Sequence, residues 1–322
     1  MKNSFDILPA VQPGQKVKVL LVGNGINLPF EGSRSTDNII REAWRKYHQV
    51  NLPRRNDFTH PHPVWKLPFP MEVVAATKNN VEDELQNLAI GMREIKVCDT
   101  QTKLVKNILD ANFDAILTTN YSLEIEKSVL GDCSYQKIYS HYRTTMKQSE
   151  RQKRYGIFQC TELPYNNYPF LWHIHGTSLR KDSLIMGQLS YGKLLSEVEK
   201  RATTANRGYY HSITNNIPFY PKSWIDYFLI ADVYIIGFQM DFSESDIWWL
   251  LSYKRNVNPE SKVYFFQPYI NDDMKLMIES YGVETPSVLF EDTNNINEDF
   301  INYYNDILKN YINQGGNRNG NL

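Results

Sequence analysis

The chain has 322 residues, 42% of them hydrophobic, enough for one large α/β domain with insertions or for two modest domains. Its 35 Lys and Arg balance 36 Asp and Glu, and a net charge of -1 offers no bulk attraction to nucleic acid or to an anionic membrane. Cys98, Cys133 and Cys160 contain no C-x-x-C pair, which argues against a disulfide framework or zinc ribbon and for reduced thiols in the cytoplasm, and no apolar run is long enough to span a membrane.

Residues 1–15, with Pro9, Pro13 and Gly14, read as a leader. Lys16 to Val22 (KVKVLLV) turns strongly apolar from Val19, as a buried parallel strand does. A loop from Gly23 to Thr36 follows, and Asp37 is placed to cap a helix running to about His48. Residues 49–70 are rich in proline and read as an irregular insertion. From Val81, the positions of Leu85, Leu88, Met92 and Ile95 keep helical spacing, and Glu82 and Glu84 suit the positive end of that helix's dipole. A second helix is expected over Thr102 to Asn112.

Phe113 to Thr118 (FDAILT) reads as a short buried strand ended by Thr119-Asn120-Tyr121-Ser122, with a helix running on towards Leu130. The segment 131–165 is polar and, with Arg151, Lys153 and Arg154, basic, and is expected to be a solvated excursion. Phe170 to His175 (FLWHIH) is a third strand closed by Gly176. Residues 177–222 form an insertion, helical between Tyr191 and Arg201. Val233 to Ile236 is a fourth strand, followed by Gly237, and Ser243 is expected to cap a helix through Leu251 with Asp246 at the capping-box position. Lys262 to Phe266 (KVYFF) is a fifth strand. A helix around Met274 to Tyr281, a strand at Ser287 to Phe290 and a helix ending near Ile312 complete the chain, and the tail 314–322 (QGGNRNGNL) reads as disordered.

Short apolar strands alternating with helices predict an α/β fold: a Rossmann-like parallel sheet with helices on both faces. It fills one domain over residues 16–313, with insertions at about 49–100, 131–165 and 177–222. Ligands of such sheets bind at the carboxyl ends of the strands. Four turns are placed there: Gly23-Asn24-Gly25, Thr119-Asn120, His175-Gly176 and Gly237-Phe238.

Gly23 and Gly25 allow a sharp turn and close approach to a phosphate, although Leu28 stands where a dinucleotide fingerprint has its third glycine. The long loop behind this turn reads as a lid. His173 and His175 would leave one face of a regular strand, as structural histidines or as an H-x-H metal pair, a spacing that His60-Pro61-His62 repeats. The reading without metal is preferred. Asn120 suits a helix cap, and Asp241 suits either a cap or a ribose hydroxyl.

In order and spacing, Gly23-Asn24-Gly25-Ile26-Asn27, Thr118-Thr119-Asn120-Tyr121, His173-Ile174-His175-Gly176 and Gly237-Phe238-Gln239 together resemble the motifs of the sirtuin (SIR2-like) family. The stretch Gly237 to Leu251 (GFQMDFSESDIWWLL) is similar to its bacterial anti-phage-defence branch. The resemblance implies a sirtuin-like fold acting on NAD. Gly23, Asn24, Gly25, Ile26 and Asn27 would cradle the diphosphate. Asn120 would hold the nicotinamide amide or position the attacking water, Thr119 would help bind the cofactor, and Gly237, Phe238 and Asp241 would lie at the adenosine ribose. His175 would be a general base, with an ordinary pKa of ~6.5.

Ser122, Gln239 and the Leu28-Pro29-Phe30 stretch depart from the family pattern, and the zinc-binding cysteine pairs of its protein deacylases are absent. The expected activity is therefore NAD hydrolysis without metal. Deacylation or ADP-ribose transfer is one alternative, and non-catalytic sensing of NAD or ADP-ribose is another. The resemblance also implies a homo-oligomer or a separate partner protein that senses infection. The helix Ser245 to Leu251 is a candidate contact, although at least one of Trp248 and Trp249 reads better as core.

Overall fold

Five apolar runs form the parallel heart of a sheet: β1 (Lys18–Val22), β2 (Ala115–Thr118), β5 (Phe170–His173), β6 (Asp232–Ile236) and β7 (Val263–Phe266). Each starts within two residues of its expected position. The computed structural model describes residues 8–30, 81–131, 135–144, 157–163, 169–241, 244–291, 293 and 295–313. The helix expected over Asp37 to His48, the proline-rich segment with His60 and His62, the lid beyond residue 30, Ser243 and the tail from Gln314 lie outside these.

The sheet order is β3-β4-β5-β2-β1-β6-β7. From β1 the chain moves outward through β2 and β5, then returns to place β6 on the other side of β1. All the pairings from β5 to β7 are parallel. The outer strands β3 (Tyr142–Thr144) and β4 (Gln159–Thr161) pair antiparallel and dock on the edge of β5. They correct the reading of 131–165 as only a solvated excursion. Three-residue strands with polar residues carry too little periodicity to be seen in sequence.

Alternation along the strands divides the core. Val19, Leu21, Ala115, Leu117, Trp172, Val233, Ile235 and Phe265 face one layer, which contains α5 (Gln188–Asn215), α6 (Trp224–Ile230), α7 (Ser245–Val257) and α8 (Asp272–Ser280). Leu20, Val22, Ile116, Leu171, Tyr234, Ile236 and Phe266 face the other, with α2 (Asp99–Leu109), α3 (Glu124–Leu130) and α9 (Ile296–Ile307). The α/β fold with helices on both faces is thus as expected. Two further helices, α1 (Val81–Arg93) and α4 (Tyr135–Ser140), lie outside these two clusters.

Several local expectations are corrected. The helix expected from Thr102 begins at Asp99, because the Cys98 sulfur caps it by accepting from the Gln101 N–H. The helix expected over Tyr191 to Arg201 runs from Gln188 to Asn215, with Leu194, Val198, Ala202 and Ala205 on its buried side. Helix α6 (WIDYFLI) escaped notice because it is buried all round and shows no amphipathic period. Ser287 to Phe290 forms no strand; the nearby pairing is a single bridge between Tyr264 and Glu284. Within the expected leader, Leu8 and Val11 are buried, and Val11 bridges Phe219. Trp248 belongs to the core and Trp249 packs against it, as read from the sequence.

Candidate active site

Val22, Thr118, His173, Ile236 and Phe266 stand in register across the five parallel strands. The turns beyond them therefore share one edge. The strand order reverses between β1 and β6, the position at which open α/β sheets bind ligands. The topology brings the Gly23 turn, Thr119-Asn120, His175 and Gly237-Phe238 to this edge, as the sequence suggested.

At the β1–β6 junction the two turns close on each other. The Gly23 N–H donates to Ile236 O at 3.0 Å and the Gly25 N–H to Gly237 O at 2.7 Å. Gly237 has φ +60, and a Cβ there would lie 2.7 Å from the Ile26 nitrogen. A Cβ on Gly25 would lie 2.7 Å from the Gly237 Cα. The glycines are thus required by backbone meeting backbone. Two donors of the expected diphosphate cradle are already engaged. Ile26 is buried, and the side chain of Asn27 accepts from Gln101 Nε2 at 2.9 Å while donating to Asn24 Oδ1 at 2.9 Å. That side chain fastens the turn to α2.

Asn120 is not a helix cap, because α3 begins after Leu123 without a side-chain cap. Its backbone is fixed by its N–H donating to Thr118 Oγ1 at 3.1 Å and by its carbonyl facing His173 Nδ1. Asn120 as a residue is 5% exposed, and its carboxamide makes no hydrogen bond among the described residues. His173 Nε2 meets Glu126 Oε1 of α3 at 2.9 Å. Burial alone would push His173 down, but the Glu126 carboxylate and the Asn120 carbonyl carry it above the ordinary value.

His175 does not share His173's surroundings, because β5 ends at His173 and the next residues turn. Its Nε2 lies 3.1 Å from Asp246 Oδ2, and its Nδ1 faces Glu244 Oε2 at 3.4 Å. The ring of Tyr191 stands edge-on at 5.5 Å. Burial again pushes the imidazole down, but Asp246 and then Glu244 raise it to about 9. Carboxylates face both nitrogens of the ring, and they favour its protonated form. Glu244 is raised to about 7, first by burial, with His175 opposing and Asp246 and Asp241 adding repulsion.

Donor atoms of His175, Glu244 and Asp246 lie within 4.8 Å of one another, close enough for a cation. The carboxylates, however, face opposite nitrogens of one ring. That arrangement suits protons between side chains better than a shared ion.

Glu244, Asp246, Tyr121 and Tyr191 were not read as site residues. Glu244 occupies the N-cap position of α7 without a side-chain cap bond, and Asp246 turns to His175 instead of closing a capping box. Tyr191 hydrogen-bonds Tyr121, whose hydroxyl donates to Ile185 O at 2.8 Å. The start of α5 and the segment before it thus lie against the site. Asp241 contributes its backbone carbonyl, which accepts from Trp248 Nε1 at 3.0 Å. No helix among the described residues is long and apolar enough to cross a membrane. The chain matches no family model and no curated protein.

Proposed function

We propose that this chain is a SIR2-like hydrolase that cleaves NAD to nicotinamide and ADP-ribose at the carboxyl edge of its sheet. The observation that carries the reading is the placement, just beyond the ends of neighbouring strands, of Asn120 and of an imidazole held between two carboxylates. The switch point beside them supports a nucleotide over a simple glycoside. The sequence motifs supply the identity of the nucleotide.

Breaking the bond between nicotinamide and C1′ builds positive charge on the ribose, as in glycoside cleavage. Carboxylates close to that carbon would lower the barrier, and nicotinamide leaves as a neutral molecule. Asn120 can pair with the nicotinamide amide or hold the attacking water. His175, as a cation, fixes the two carboxylates. The diphosphate would meet the part of the Gly23 to Asn27 turn not engaged by β6, and the adenosine ribose the Gly237 to Asp241 segment. A cytoplasmic role in anti-phage defence, self-association and an infection-sensing partner protein belong to the same proposal and rest on the motif resemblance alone.

Purified protein incubated with NAD should release nicotinamide and ADP-ribose in equal amounts. Asn120→Ala should lower release by about 100-fold or more. Full turnover in that variant would remove Asn120 from the site, and no release by the wild type would overturn the reading. Addition of an acylated peptide separates deacylation, which alone yields acyl-ADP-ribose.

A further inference from the structure

We propose that Glu244, and not His175, takes the proton from the water that attacks the ribose, an inference that rests on the NAD-cleaving reading above. Three observations carry it. His175 has carboxylates facing both ring nitrogens and is buried, with a side chain only 2% exposed. Of the three side chains, Glu244 alone reaches outward, with 17% exposure against 2% for His175 and 1% for Asp246. Its buried inner oxygen, Oε2, makes the 3.4 Å ion pair with His175 Nδ1 and no hydrogen bond. A carboxyl that is partly open and backed by a fixed imidazolium is built to accept a proton and pass it to solvent.

The groups facing Glu244 are His175 from the turn after β5, Asp246 on α7, Asp241 before α7, Tyr121 after β2 and Tyr191 on α5. Burial and the neighbouring acids hold Glu244 at about 7, close to a working pH, where a base both loses and gains its proton readily. In the step, the water oxygen bonds to C1′ as the C1′–N bond breaks, and its electron pair leaves with nicotinamide. The water proton passes to the Glu244 carboxylate and then to solvent. NAD and water give nicotinamide, ADP-ribose and one proton, with no change of oxidation state.

The test compares wild type, Glu244→Gln and Glu244→Asp across about pH 5.5 to 9.5, reading kcat and KM for nicotinamide release, thermal melting, and the imidazole signals by NMR. The wild-type rate should rise with pH through about 7. Glu244→Gln should lower kcat by about 100-fold or more, with KM changed less than about threefold, and should abolish that rise. Glu244→Asp should recover part of the rate with a displaced rise. In Glu244→Gln the His175 signal should titrate at lower pH than in the wild type, because one of its two anionic partners is gone.

Wild-type kcat in Glu244→Gln, or persistence of the rise, overturns the assignment while leaving NAD cleavage intact. A wild type that releases no nicotinamide at any pH overturns both. If Glu244→Gln does not fold, Glu244→Asp decides, because an undisplaced rise with full kcat excludes Glu244.

Discussion

At the ends of β1 and β6 backbone meets backbone: Gly23 and Gly25 donate across the gap, and Gly237 takes a left-handed conformation so that the turns can touch. At the ends of β2 and β5 side chains take over: His173 lies between the Asn120 carbonyl and Glu126, and His175 between Glu244 and Asp246. The first region depends on the absence of a Cβ and would respond to added volume. The second depends on charge and hydrogen bonds and would respond to lost polar atoms. One edge of a sheet can thus be specialised twice, because neighbouring strands end at the same level but deliver different turns.

The difference can be broken most severely behind the second region. Glu126→Ala leaves His173 buried without its acidic partner and is expected to cost about 3–5 kcal/mol in urea unfolding. A loss under about 1 kcal/mol would mean that His173 and Glu126 do not form a buried pair. Gly237→Ala tests the first region. Its methyl would meet Ile26 in a conformation that L residues avoid, and a loss of roughly 3 kcal/mol is expected from strain and overpacking. Unchanged stability would show that the two turns part easily. Asn120→Ala should sharpen the contrast, since it removes activity as stated above yet should cost only about 1 kcal/mol of stability.

The smallest effect concerns pH. His175 is raised in the folded state to about 9, above its ordinary 6.5. Its contribution to stability is therefore complete below about pH 6.5 and lost as pH rises through about 9. Lys254, lowered by burial to about 7, acts in the opposite direction. It acts equally in both proteins, so the difference in melting temperature between wild type and His175→Gln reports His175 together with Glu244, whose carboxyl it faces. That difference should shrink from pH 6.5 to pH 9. A constant difference would remove the ionic clamp from the site.

The parallel strands were legible because each is a short apolar run bounded by a turn, and burial on both faces demands that pattern. The outer strands β3 and β4 were not, since an edge carries little of the core. His173 shows a finer limit. Sequence spacing put it on one face with His175, but the strand ends between them, and their partners lie on α3 and α7. Asp246 read as a cap because its distance from a helix start is visible in sequence, whereas His175 lies 71 residues earlier.

By itself, the sequence determined the alternation of the parallel strands with helices and the small residues at the turns. These follow from local periodicity and from what glycine alone permits. Tertiary structure alone decided that Gly25 donates to Gly237, that the Asn120 carbonyl faces His173, and that Glu244 and Asp246 bracket His175. The physical reason is that the charge state of an imidazole depends on which side chains are buried beside it, and the strand order, not chain proximity, selects those neighbours.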